Sequence, residues 1–275
     1  MSARPVPAWS LAPGEAPAVE TPSSWQESIT REWALDGSRG GVDVCVVDSG
    51  VEAGHPLVGS LASATAVVRE NDEIRVVEDV LGDVCGHGTA CAGIIRSLAP
   101  DCRLHSVRVL GAGAKGAGDL ILAGLRHAVE ANHRVISLSL STTKQRFAEE
   151  LHELADTAYF NRTVVVASAH NLPVSSYPWR FSSVISVGSH EESEPLLWYA
   201  NPSPPVELFA RGVDVEVAWP GGGTLRCTGN SFAAPHIAGI AALVLAKHPE
   251  LTPFQLKSVL HVTAANAPAV AEGAK

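Results

Sequence analysis

No stretch of this sequence is apolar for long enough to cross a membrane. The longest unbroken run of apolar residues and glycine, 237–246, is far short of the roughly 20 residues a spanning helix needs. The N-terminus, MSARPVPAWSLAPGEAPAVETPSS, contains no apolar segment that could form the core of a secretory leader. Excess positive charge is missing too. A net charge of −9 argues against nucleic acid or an anionic membrane as the main partner, since neither attracts an acidic surface. The five cysteines, at 45, 85, 91, 102 and 227, are odd in number and unevenly spaced, so no disulfide framework is expected. These absences favour a reduced, cytoplasmic setting. Aromatics are scarce at 5%, yet 46% hydrophobic residues in a 275-residue chain suffice for a substantial core.

Residues 1–24 carry prolines at 5, 7, 13, 17 and 22 and few bulky apolar groups, which reads as an extended arm. Residues 25–275 read as one domain. A helix is expected at 25–36, with Trp25, Ile29 and Trp33 at helical spacing and Gly37 as a stop. Short apolar segments rich in β-branched residues then predict strands at 42–47, 104–109, 135–140, 163–168 and 183–188. Helical patterns fall near 87–97, 118–131, 145–159, 231–247 and 253–264, the last opened by Thr252-Pro253. Strands interleaved with helices predict an α/β fold with a mostly parallel central sheet flanked by helices on both faces. Ligands in such folds sit beyond the carboxyl ends of the strands. Asp48-Ser49-Gly50 and Ala169-His170-Asn171 occupy two such ends.

Four polar residues stand out against apolar or glycine-rich surroundings: Asp48, His87 in CGHGTACAG, Asn171, and Ser231 in GNSFAAPH. Each alone has a blander reading. An aspartate after a strand is usually a turn former, and a lone histidine is more often structural than catalytic. Together they supply the parts of acyl transfer: a serine nucleophile, a histidine base, an aspartate that orients the imidazole, and an amide donor for the oxyanion. Gly86, Gly88 and Gly229 allow close approach of backbone and substrate.

The ordered motifs DSG (48–50), HGTACAG (87–93), ASAHN (167–171) and GNSFAAPHIAG (229–239) closely resemble the subtilisin-like serine proteases. The resemblance extends through APDCRLHSVRVL (99–110), VISLSL (135–140) and HPELTPFQLKSVL (248–260), covering roughly 25–265. It matches a template already known. The nearest competitor, an α/β-hydrolase esterase, would run Ser, Asp or Glu, then His, with its serine in Gly-x-Ser-x-Gly. Here the order is Asp, His, Ser, and the serine lies in Gly-Asn-Ser-Phe-Ala. A zinc protease fails as well, because His152-Glu153 lacks the second histidine of its motif.

The resemblance implies an endopeptidase in which Ser231 attacks, His87 shuttles the proton, Asp48 orients it, and Asn171 with the Ser231 N–H holds the oxyanion. It implies a protein or peptide substrate bound as an extended strand along Ser139, Leu140 and Ser141. Gly116 would lie on the facing strand, with Ala117 and Leu120 walling a distal apolar pocket. Ser168, Ala169 and His170 would wall the pocket for the residue on the acyl side of the scissile bond (P1). Three departures accompany this. Ser141 and Thr142 stand where the family usually has glycines after its Ser-Leu, and His170 replaces a glycine and either narrows the P1 pocket, offers it a polar contact, or turns to solvent. Cys91, one helical turn after His87, resembles the thiol-bearing branch that includes proteinase K and thermitase. Cys85, Cys91 and Cys227 read either as small buried or semi-buried thiols or as a set of which at least one lies close enough for its modification to block catalysis. The aspartate that serves calcium in relatives is also missing: His55-Pro56 is followed by Leu57-Val58, so no calcium is expected at that site, and no other metal or cofactor is assigned. Residues 1–24 are too short and proline-rich to fold as the family's usual prodomain, and read as a latch across the cleft, a docking arm or a disordered segment. Two alternatives stay open: a peptide ligase or macrocyclase on the same four residues, and a non-catalytic peptide-binding protein of protease fold. Oligomeric state is left open.

Overall fold

The computed structural model describes residues 29–111 and 117–267. The expected arm at 1–24 and the substrate-strand residue Gly116 lie outside them. The first helix among the described residues, α1, is Arg31–Leu35; of the helix expected over 25–36, residues 25–28 lie outside the described residues. Thr30 has extended backbone and its side chain accepts from Trp33 N, so it caps the helix instead of continuing it.

From there the chain alternates as the patterning predicts. Strands β1 (Asp43–Asp48), β2 (Ser63–Glu70) and β3 (Glu73–Glu78) lead to α2 (His87–Leu98) and β4 (Arg103–Arg108). Then come α3 (Gly118–Glu130), β5 (Val135–Leu138), a short 3₁₀ turn at Gln145–Phe147, α4 (Ala148–Phe160) and β6 (Val164–Ser168). Strands β7 (Ile185–His190), β8 (Trp198–Ala200), β9 (Leu208–Arg211), β10 (Val215–Trp219) and β11 (Gly223–Cys227) precede α5 (Asn230–Lys247) and α6 (Pro253–Val262). The start of α6 is a capping box: Thr252 accepts from Gln255 N, Gln255 reaches back to Thr252 N, and Pro253 occupies the first turn.

Nine strands form one sheet in the order β3-β2-β4-β1-β5-β6-β7-β9-β8. Every pairing from β2 to β9 is parallel, and only the edge strands β3 and β8 run antiparallel. Helices cover both faces, as a mostly parallel sheet requires. The period-2 alternation of β1 shows how. Val44 and Val46 join a core cluster with α2, α5 and α6, while Cys45 and Val47 join a second cluster with α3 and α4. Helix α5 is apolar all round and almost wholly buried, consistent with its run of small residues. All five cysteines are free thiols. Among the described residues no helix is long and apolar enough to cross a membrane.

The segment 135–140, expected as a strand throughout, leaves the sheet after Leu138. Leu138 is the last residue of β5 in register with β6, opposite Ala167. Ser139, Leu140 and Ser141 therefore hang beyond the sheet edge, next to the ends of β1 and β6.

Candidate active site

Asp48 is the last residue of β1 and is 1% exposed. Its backbone carbonyl accepts from Val109 N and Leu110 N, which ties it to the end of β4. One carboxylate oxygen accepts from Ser49 N at 2.8 Å. Both accept from His87 Nδ1, at 2.8 and 2.9 Å. That contact fixes the imidazole with Nε2 facing away from the carboxylate.

His87 opens α2. The residue before it, Gly86, has φ +92° and a bare Cα under the Trp219 ring, where a Cβ would come within 2.8 Å of the indole. Asp83 holds this turn together. Its Oδ1 accepts from Ser49 Oγ at 2.7 Å, Cys85 N at 3.0 Å and Gly86 N at 2.7 Å, and its Oδ2 accepts from Thr89 N at 2.8 Å. Ser49 Oγ in turn accepts from Gly88 N. One carboxylate thus joins the loop after Asp48 to the turn that presents His87.

Burial opposes the imidazolium form of His87. The Asp48 carboxylate outweighs that penalty, with Cys91 acting in the same sense, and the balance raises His87 well above the ordinary histidine value of 6.5. Cys91 lies on the same helix face, 1% exposed, with Sγ 3.9 Å from His87 Nδ1. Burial pushes its thiol up. Cys91, Asp48 and His87 bring their ligand atoms within 4.8 Å of one another, but this nitrogen, sulfur and carboxylate set is not the all-oxygen shell calcium takes. His55, beside Leu57 and Val58, is occupied by the Trp219 and Gly223 carbonyls.

Ser231 is the second residue of α5, where backbone N–H groups lack intrahelical partners and the helix dipole favours negative charge. Pro235 lies further in, where an ordinary residue would donate to the Ser231 carbonyl. That carbonyl instead accepts from Ser139 Oγ at 2.8 Å and lies 3.6 Å from Cys91 Sγ. The proline frees a carbonyl that pins Ser231 to the end of β5.

Asn171 follows β6. Its Oδ1 accepts from Asn230 N at 2.9 Å, which turns Nδ2 toward the serine. A Cβ added to Gly229 would lie 3.3 Å from Ser231 Oγ and 3.4 Å from Asn171 Nδ2, so the missing side chain leaves open the space between them. Asn230 clamps the surroundings: its Oδ1 accepts from Ser189 N and Oγ, and its Nδ2 donates to the Ala169 and His170 carbonyls.

His87, Ser139, Leu140, Ser141, Ser168, Ala169, His170, Asn171 and Ser231 all line one groove of about 460 Å³, together with Leu110, which the sequence pattern did not single out. Among the described residues no hydrogen bond within 3.5 Å joins His87 Nε2 to Ser231 Oγ, the looser spacing common in unliganded sites of this kind. His170 is half-buried on the rim, with its Nδ1 accepting from Leu172 N at 3.0 Å. Ala117 and Leu120 are not in this groove; Ala117 is exposed at the start of α3, and Leu120 packs against the core. Asp83, Ser49 and Asn230 escaped the sequence reading because they act on backbone groups brought near only by folding. Asp83 lies four residues before His87 and Asn230 directly before Ser231, and that proximity was their only sequence signal.

The sequence model of the subtilase family matches residues 39–274. Subtilisin E of Bacillus subtilis (strain 168) is 32% identical over 238 residues, covering 81% of this chain, which spans 60% of that relative's length. Subtilisin BL of Lederbergia lenta is 31% identical over 257 residues, covering 90% of this chain and 88% of the relative. The crystal structure of a cold adapted subtilisin-like serine proteinase superposes with a TM-score of 0.69 at 27% identity, over 84% of this chain and 87% of that one. The chain belongs to the subtilase family, the subtilisin-like serine proteases.

Proposed function

We propose that this chain is a serine endopeptidase that hydrolyses peptide bonds through an acyl-enzyme, with Ser231, His87 and Asp48 as its triad and Asn171 in the oxyanion hole. The observation that carries the reading is the single groove shared by His87, Asn171 and Ser231, with Asp48 buried behind the histidine. Ser231 Oγ attacks the scissile carbonyl carbon while His87 Nε2 takes its proton. The carbonyl π-electrons move to oxygen, and Asn171 Nδ2 with the Ser231 N–H holds the resulting oxyanion. Collapse of this intermediate breaks the C–N bond, and His87 returns the proton to the departing amine. Water then repeats the sequence on the ester, releasing the acid and restoring Ser231. Asp48 keeps its negative charge throughout, orienting His87 and stabilising its imidazolium.

The reaction draws on no cofactor, since backbone and side-chain dipoles handle the developing charge. Substrate lies extended along Ser139–Ser141, which is free of the sheet and lines the groove. Five free cysteines suit a reducing compartment. The role is processing of a particular protein or peptide.

A peptide incubated with the enzyme separates this reading from ligation. Mass spectrometry is expected to find fragments that have together gained one water, and none when Ser231→Ala replaces the wild type. Cyclic or joined products without that gain would replace hydrolysis by transpeptidation. Fragments from Ser231→Ala would refute the assignment of the nucleophile.

A further inference from the structure

We infer that the P1 pocket beside Ser231 is closed at its base by this chain's own Ser141, Ser176 and Trp179, so the enzyme cleaves after small residues and rejects bulky apolar ones. The inference rests on the peptidase reading above. A substrate carbonyl held between Ser231 Oγ and Asn171 Nδ2 sends the side chain of its residue either to solvent or between segments 139–141 and 168–170. These segments continue from neighbouring strands and line the same groove.

The base of that space is built by the chain after His170. Thr142 and Tyr177 exchange two backbone hydrogen bonds of 2.9 Å, which draw residues 176–177 against the end of the 139–142 segment. Ser141 lines the groove; behind it Ser176 is fully buried (0% exposed), and its hydroxyl donates to Ser141 Oγ at 3.0 Å. Trp179 Nε1 donates to Ser176 Oγ at 2.7 Å, from an indole that is 7% exposed and packed in the core.

The direction of this relay follows from its far end. An indole nitrogen can only donate, so Ser176 accepts from Trp179; its own hydrogen, fully buried and with no other acceptor among the described residues, goes to Ser141 Oγ. Ser141 then keeps its hydroxyl hydrogen, which has no acceptor among the described residues, for the groove. The base is therefore polar as well as shallow. Seating a Phe or Leu side chain there means breaking the relay and leaving Ser176 and Trp179 as buried polar groups without partners, a penalty that Gly, Ala or Ser does not incur.

The test compares kcat/KM for two peptides that differ only in Ala or Phe at P1. Wild type is expected to favour Ala by about tenfold or more, the scale on which pocket size discriminates. Ser176→Gly and Ser141→Gly each remove a hydroxyl from the base, and each is expected to shift the Phe/Ala ratio toward Phe by about tenfold. Circular dichroism identifies variants that fold, and either variant suffices if the other does not. A wild-type preference for Phe, or an unchanged ratio in a folded variant, overturns the inference. Labelling of Ser231 by a fluorophosphonate, measured alongside, separates the two levels. Loss of labelling in wild type refutes the peptidase reading itself, whereas a labelled enzyme that prefers Phe refutes only the closed pocket.

Discussion

His87 faces opposing demands: a buried site disfavours its charged form, and an adjacent carboxylate favours it. The carboxylate prevails, so the imidazole holds a proton above the ordinary histidine range. A protonated His87 cannot accept from Ser231. In the proposed mechanism kcat/KM therefore rises with pH as His87 loses its proton, with the acid limb centred above 6.5. Asp48→Asn removes the charge and leaves burial dominant, so the limb moves to lower pH while the rate falls steeply. A pH profile of both proteins checks this, and a wild-type limb centred at or below 6.5 would contradict it. The four principal residues were legible in the sequence because each sits in a short motif with fixed neighbours. Asp83 was not. Its four hydrogen bonds run to Ser49 Oγ and to three backbone N–H groups, and three of them lie within the turn and first helical residues at 85–89. Nothing in residue type distinguishes such an aspartate from an ordinary loop acid until the turn has folded.

Helix α5 joins the proposed nucleophile to the stability of the fold. Its first turn presents Ser231, and the carbonyl left open by Pro235 anchors that turn to Ser139. One turn on, His236 is 3% exposed and its Nδ1 donates to the Phe232 carbonyl at 2.8 Å. Burial lowers its pKa to about 4, and lowers His133 to about 4 as well. On unfolding, both groups regain the ordinary value of 6.5 and take up protons in the window between. The unfolded chain therefore binds more protons there, and stability falls as pH drops from about 6.5 toward about 4. Urea unfolding across this window is expected to show a shallower fall for His236→Gln, with the remaining slope including His133. An identical pH dependence in wild type and variant would contradict the assignment. Helices α2 to α6 and the central parallel strands β1 and β4 to β7 were readable from apolar periodicity. The hairpins β2–β3 and β10–β11 and the short β8 and β9 were not. β3 is exposed along its length, β11 nearly so, and β8 and β9 span only three and four residues, too little for a period to register.

At the scale of the molecule, residues 48, 87, 171 and 231 converge because parallel strands point their carboxyl ends to one side of the sheet, where α2 and α5 begin. Motif order made that convergence expected from the sequence. The shape of the groove is a different matter, because it depends on contacts between segments that no motif links. Ser141 meets Ser176 and Trp179 only once the 170–179 loop folds back on the end of β5, and Leu110 reaches the groove only through the pairing of β4 with β1. The site's chemistry was therefore more legible than its selectivity. The most direct measurement is covalent: reaction with a fluorophosphonate, followed by peptide mapping of the adduct. The expected result is one equivalent of label on Ser231, lost in Ser231→Ala and strongly slowed in the folded His87→Ala variant. Label on another residue, or none on wild type, would contradict an activated Ser231 at the centre of this groove.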